Sequence, residues 1–120
     1  NNWTAGWGIA PSVAFFRKEA QDQKIFIATE GTFGMLPEAL ELYLVQNPNI
    51  TIKGYWPFGE TIPEDMLMYA KKMPSYFVVF QKENLKKVKN YPLTLIFKVK
   101  DAKSPYYYYV YQIMPPGKKI

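Results

Sequence analysis

The sequence contains no cysteine and no histidine. The first absence excludes disulfides, thiolate nucleophiles and cysteine-ligated zinc or iron–sulfur centres. The second removes the commonest general base, the commonest transition-metal ligand and every Ser-His pair. Only carboxylates, Lys, Tyr, Ser and Thr remain for proton transfer or nucleophilic attack, so an enzyme of this composition needs paired acids of the glycosidase kind or an activated lysine. No such arrangement stands out, so no residue is assigned a catalytic or metal-ligating role and no cofactor is expected. Long apolar runs are missing as well: Lys or Glu interrupts each stretch before the roughly 20 residues that cross a bilayer, and the chain as given is expected to be soluble. Arginine is nearly absent, since Arg17 alone stands among fifteen basic residues. Bidentate recognition of guanine or phosphate favours the planar fork of Arg, so this lysine set weighs against nucleic acid despite the net charge of +5.

What is present suits a single domain. In 120 residues, 48% are apolar and 18% aromatic, enough for one packed core. The chain opens on Asn1-Asn2-Trp3 with neither an initiator Met nor a signal-peptide pattern, which leads to the expectation that it is a piece of a longer protein.

Helical and extended patterns alternate along it. Pro11, Val13, Phe16 and Ala20 give an apolar stripe that predicts a helix over about Pro11 to Gln21. Ile25-Phe26-Ile27-Ala28 is a short continuous apolar run, the pattern of a strand buried on both faces and the best candidate for a central strand. A second helix is expected from near Leu36 to Gln46, stopped by Asn47-Pro48-Asn49. Ile50-Thr51-Ile52-Lys53 alternates apolar with polar, as an edge strand does. Thr61-Ile62-Pro63-Glu64 fits a capping box for a third helix, about Ile62 to Lys72, with Met66, Tyr69, Ala70 and Met73 facing inward. Tyr76-Phe77-Val78-Val79-Phe80 is another buried strand. A solvated basic connector from Lys82 to Asn90 then leads to two alternating strands, Leu93 to Lys100 and Tyr106 to Ile113, expected as an antiparallel hairpin. Half of the tyrosines between Tyr106 and Tyr111 are expected in the core, because successive side chains face opposite sides of a strand.

This order predicts an α/β fold: a small three-layer Rossmann-like domain with residues 24–29, 50–54 and 76–81 as three parallel strands in the order 2-1-3, extended by the C-terminal antiparallel hairpin. Ile25, Ile27, Val78 and Phe80 should be buried. Ligands of such sheets settle beyond the carboxyl ends of the strands, where the strand order reverses. That points to Glu30, Gly31, Thr32, Phe33 and Gly34. The two glycines allow close backbone approach, and the helix that follows offers free N–H groups to an anion or a hydroxyl-rich ligand. The segment lacks the spacing of a dinucleotide fingerprint or a P-loop; a tight turn with no ligand and a solvated Glu30 is the competing reading. Trp56 should share that rim, and Trp7 precedes the first helix; flat aromatic faces of this kind stack on sugar rings and also sit at lipid headgroups. Lys82, Lys86, Lys87 and Lys89, with Lys118 and Lys119, could meet an anionic membrane surface.

Three segments together carry a resemblance: Trp3-Thr4-Ala5-Gly6-Trp7-Gly8, Thr29-Glu30-Gly31-Thr32-Phe33-Gly34, and Asn49-Ile50-Thr51-Ile52-Lys53-Gly54-Tyr55-Trp56-Pro57. In this order they resemble the soluble C-terminal segment of bacterial multi-span glycosyltransferases related to the dolichyl-phosphate-mannose protein mannosyltransferases, over about Trp3 to Ile113. The resemblance implies a parent membrane enzyme that uses a lipid-phosphate-linked sugar, with its catalytic acids in loops tied to the transmembrane part. Nothing here matches that part, so no catalytic residue carries over. It implies further that this domain lies on the extracytoplasmic face of the cytoplasmic membrane, with the transmembrane part of the same parent protein and a glycan or lipid-linked sugar as partners. An accessory domain that helps position acceptor or donor is therefore the leading expectation. The alternatives are an independent small-anion or nucleotide-binding Rossmann-like domain, and a Lys-based nucleic-acid-binding module.

Overall fold

The computed structural model describes residues 9–30, 46–55, 59–79, 82–100 and 107–115. In chain order the elements are helix α1 (Ile9–Glu19), strands β1 (Ile25–Glu30) and β2 (Ile50–Tyr55), helix α2 (Glu64–Lys72), strand β3 (Ser75–Val79), helix α3 (Lys82–Lys87) running into a 3-10 turn (Val88–Asn90), and strands β4 (Leu93–Lys100) and β5 (Tyr107–Ile113). The result is a mixed α/β fold around one five-stranded sheet of order β2-β1-β3-β5-β4. β1 pairs in parallel with β2 on one side and β3 on the other. β5 runs antiparallel to both β3 and β4. The expected parallel order 2-1-3 is therefore present, with the hairpin added beyond β3. Because the hairpin joins that side, β3 is the middle of the five strands, and β1 is central only within the parallel trio.

Every residue of β1 and of β3 is buried, including Ile25, Ile27 and Val78. Strand alternation divides these side chains between two faces. On one face Phe26, Ala28, Phe77, Val79 and Ile113 join Met66 and Ala70 of α2 and Val88 and Tyr91 around the 3-10 turn. Phe26 stacks flat on Tyr69, with ring centroids 3.9 Å apart. On the other face Phe15 and Phe16 of α1 pack edge-on against Tyr76, and Phe15 also meets Phe97 of β4. The Tyr76 hydroxyl reaches through this cluster to donate to Glu19 at 2.9 Å. Burial, and then that hydrogen bond to a carboxylate, push the Tyr76 phenol well above its ordinary value.

β2 lies at the sheet edge, as its alternation predicts, with Thr51 and Lys53 exposed. β4 forms the opposite edge and is not a regular alternating strand. A register shift between Leu95 and Phe97 places Leu95 opposite Tyr111 and Phe97 opposite Val110. The inserted residue reverses the parity of the strand, so Leu93 and Phe97 reach opposite faces although both are odd-numbered. No turn residue within β4 announces the bulge.

Several expectations need correction. The Thr61–Glu64 capping box does not form: α2 begins at Glu64 with Pro63 in extended geometry as its N-cap and no side-chain cap. Proline disfavours helical geometry at the residue before it, Ile62, and Pro63 itself has an extended ψ of 137°, so the helix starts two residues later than the box requires. The stripe beyond it is correct, since Met66 and Ala70 are buried and Tyr69 and Met73 pack beside them. The basic connector is not a solvated loop but α3 and the 3-10 turn, anchored by Val88 at 2% exposure and by Leu85, three residues apart and packed on the core. α1 runs Ile9–Glu19, so Pro11 falls inside its first turn, where its missing N–H leaves no bond broken. Of the tyrosines between Tyr106 and Tyr111, Tyr109 and Tyr111 are part-buried, Tyr111 against the core cluster, and the burial of the others, on which the expectation that half are core also depends, lies outside the described residues. Phe80, the expected second helix before Gln46 and the β4–β5 connection lie outside the described residues.

Phe26→Ala is expected to destabilise the fold by about 3–5 kcal/mol, because it empties a fully buried site and leaves Tyr69 without its stacking partner. Leu95→Ala, at 48% exposure on the edge strand, should change stability by about 0.5 kcal/mol. Urea unfolding of both variants checks the contrast, and equal losses would contradict this assignment of the core.

Candidate functional site

The carboxyl end of β1 carries the two polar residues of an otherwise apolar strand, Thr29 and Glu30. Both are at 0% exposure. Their burial follows from position: β1 is flanked by β2 and β3, and in register Glu30 lies beside Tyr55 while Thr29 lies between Gly54 and Val78. Alternation sends Glu30 to the face of Phe26 and Ala28, and Thr29 to the face of Ile25 and Ile27. A ligand that meets both must therefore lie across the strand end. Thr29 Oγ1 is buried without a hydrogen-bond partner among the described residues. A buried hydroxyl left unpaired costs about 1–3 kcal/mol, and so calls for a functional or structural reason.

Of the sequence-predicted site residues, Glu30 is placed at this strand end, and its burial corrects the solvated-carboxylate reading. Gly31, Thr32, Phe33, Gly34, Trp56 and Trp7 lie outside the described residues. Tyr55, which precedes Trp56, is beside Glu30 and 8% exposed.

Next to this end stands a polar cluster that the sequence reading missed. Asp65, in the first turn of α2, accepts a hydrogen bond from the Tyr55 hydroxyl at 3.0 Å and forms an ion pair with Lys53. Burial, then the hydrogen bond to Asp65, raise the Tyr55 phenol far above its ordinary value. It is therefore a fixed donor near neutral pH rather than an acid–base catalyst. Partial burial alone would raise Asp65, but hydrogen bonds from Lys53 and Tyr55 outweigh it and hold the carboxyl below its ordinary value. The cluster braces β2 to α2. Its one sequence signal is that Lys53 and Tyr55 share a strand face; Asp65 could not be matched to them without knowing where α2 starts.

A separate cleft of about 540 Å³ lies between the last turn of α1 and the turn at Asn47 to Asn49, with Arg17, Lys18, Asn47 and Asn49 in its wall. Asn49 holds this region together: its side-chain amide donates to Ala20 O at 2.7 Å, and its carbonyl accepts from Ile25 N at 2.8 Å. The cleft is at the amino ends of β1 and β2, remote in the sheet from Glu30. Among the described residues, no group of three His, Cys, Asp or Glu side chains is arranged to hold a metal, and no helix is long and apolar enough to cross a membrane. Compared with known protein families, curated proteins and solved structures, the chain matches none.

Two outcomes follow. Thr29→Val, which keeps the shape and deletes the unpaired hydroxyl, should stabilise the protein by about 1 kcal/mol in chemical denaturation; a loss of that size would show that the hydroxyl has a partner in the folded chain. Asp65→Asn should destabilise by about 0.5 kcal/mol, a figure kept small because Asp65 is 39% exposed and solvent screens it. The folded carboxyl is more acidic than the unfolded one, so the difference is fully present above the unfolded value of about 3.9 and vanishes as pH falls through the folded value. Denaturation midpoints of wild type and variant across acid pH check the sign; a difference that grows on acidification would contradict it.

Proposed function

We propose that this domain is an accessory, non-catalytic module of a membrane glycosyltransferase that uses a lipid-phosphate-linked sugar, and that it helps to position the acceptor or the donor at the carboxyl end of β1. The observation that carries the proposal is the pair Thr29 and Glu30, two buried polar side chains at the end of the strand where a parallel sheet reverses its order. A hydroxyl-rich ligand suits such a pair: it can supply the donor or acceptor that Thr29 Oγ1 lacks among the described residues, while a carboxyl group is a frequent partner of sugar hydroxyls. The order of the three motifs that resemble the glycosyltransferase segment suggests the class of the parent, and two of them include residues of this strand end, Thr29 and Glu30 in one and Gly54 and Tyr55 in the other. In this reading the sheet and its helices act as a small three-layer Rossmann-like scaffold, the partner is the transmembrane part of the same protein, and the location is the extracytoplasmic face of the cytoplasmic membrane. The anion- or nucleotide-binding alternative is less favoured, since a buried carboxyl group offers a phosphate no positive charge, whereas the contact proposed here is with the sugar hydroxyls of the ligand and not with its phosphate.

Titration of the chain with a glycan panel and with a polyprenyl-phosphate sugar, followed by tryptophan fluorescence, tests the proposal. Binding near millimolar is expected, about 4 kcal/mol, because an accessory domain supplies only part of a shared site. Glu30→Gln and Thr29→Val should each weaken it several-fold with little dependence on salt. Absence of binding, or binding indifferent to both substitutions, would remove the rim from the account.

A further inference from the structure

The net positive charge of this chain falls within one stretch of its sequence. Residues 82–100, which make up α3, the 3-10 turn and β4, contain six lysines and a single acid, Glu83. Their balance of +5 equals the net charge of the whole chain, so the remaining residues are neutral in sum. The same stretch exposes two large aliphatic side chains side by side, Leu95 at 48% and Ile96 at 36%. The bulge is what brings them out together, since the register shift falls between Leu95 and Phe97 on the edge strand. Leu85, Val88 and Leu93 pack into one core cluster, which ties the basic turn beside the start of β4. Lys86 and Lys89 are exposed on that turn, and Lys98 is exposed on the strand.

We infer that this edge is a docking surface for an anionic lipid bilayer, with Leu95 and Ile96 entering the headgroup boundary and Lys86 and Lys89 meeting the lipid phosphates. Protection of a sheet edge against strand addition also uses lysines and bulges, but that role needs charge on the edge strand alone, and here it continues onto Lys86 and Lys89 outside the strand. A second copy would bring the same positive edge and be repelled. Nucleic acid recognition favours Arg for phosphate and guanine and aromatic faces for bases, and none of the six cations is Arg while the exposed apolar pair is aliphatic. A lipid surface satisfies both features: each lysine near it adds to the attraction, and exposed aliphatic groups add buried apolar area. The inference uses residues distinct from the Glu30 rim and stands or falls separately from the proposed function.

The test is co-sedimentation of the 120-residue chain with phosphatidylcholine vesicles, with and without phosphatidylglycerol, at low and moderate salt. Binding is expected only with phosphatidylglycerol and should weaken as salt rises. Lys86→Gln with Lys89→Gln should lower the partition coefficient by about tenfold, whereas Lys71→Gln with Lys72→Gln, an equal charge change on exposed positions of α2, should lower it by less than about threefold. Leu95→Ser with Ile96→Ser should lower it by about tenfold. If that variant fails to fold by circular dichroism, the two lysine pairs decide the matter. Equal binding to neutral vesicles, an equal loss from the Lys71 and Lys72 pair, or no vesicle binding alongside duplex DNA binding at moderate salt would each overturn the inference.

Discussion

Burial of β1 on both faces is the constraint on which the rest of the structure depends. A strand with neighbours on each side and helices above and below has no direction in which to place a polar group cheaply. Ile25 through Ala28 meet that condition with apolar side chains, Phe26 under Tyr69 on one face and Ile25 and Ile27 on the other. The backbone is held at the entry by Asn49 and Pro74, whose carbonyls accept from Ile25 and Phe26. The chain becomes polar only at the strand's carboxyl end. There Thr29 and Glu30 stay fully buried although nothing in the sheet itself requires polarity. A strand that departs from its own rule at one end, and at the end where parallel sheets hold ligands, is the feature that links the fold to a functional reading.

The two ends and two edges of the sheet then divide the work. The Tyr55–Asp65–Lys53 cluster fixes edge strand β2 to α2 and so holds Tyr55 beside Glu30. At the far edge, β4 is irregular and exposes Leu95 and Ile96, and it belongs to the stretch 82–100 whose charge balance equals that of the whole chain. In the proposed setting these features are compatible. In that proposal one edge of the module would meet the bilayer, while the carboxyl end of the parallel trio would face the substrate shared with the transmembrane body.

Much of the fold was legible in residue order because its determinants are local. The continuous apolar runs of β1 and β3, the alternation in β2 and the Met66, Tyr69, Ala70 stripe each describe how a segment sees its immediate surroundings, and these surroundings were as expected. The failures have a common physical source in competition between local signals or in distant contacts. Pro63 overrides the capping box that Thr61 and Glu64 spell out. Charge density made residues 82–90 look like a loop, whereas burial of Val88 and packing of Leu85 decide for helix. The β4 bulge depends on which face Phe97 must reach to meet Phe15, a contact with α1 that no local pattern encodes. At the site, Glu30 was legible as a residue ending a buried run, while the unpaired hydroxyl of Thr29 and the ion pair of Asp65 emerge only when β2, β1 and α2 are assembled.

The account's central claim is that the polar end of β1 receives a hydroxyl-rich ligand, and amide chemical-shift mapping tests it most directly. On addition of a polyprenyl-phosphate sugar to the isotopically labelled chain, the largest shifts should fall on the amides of Thr29, Glu30, Gly54 and Tyr55, which are neighbours in the β1–β2 register. Shifts confined to the Arg17 and Asn49 cleft or to β4, or no shifts at saturating ligand, would contradict it.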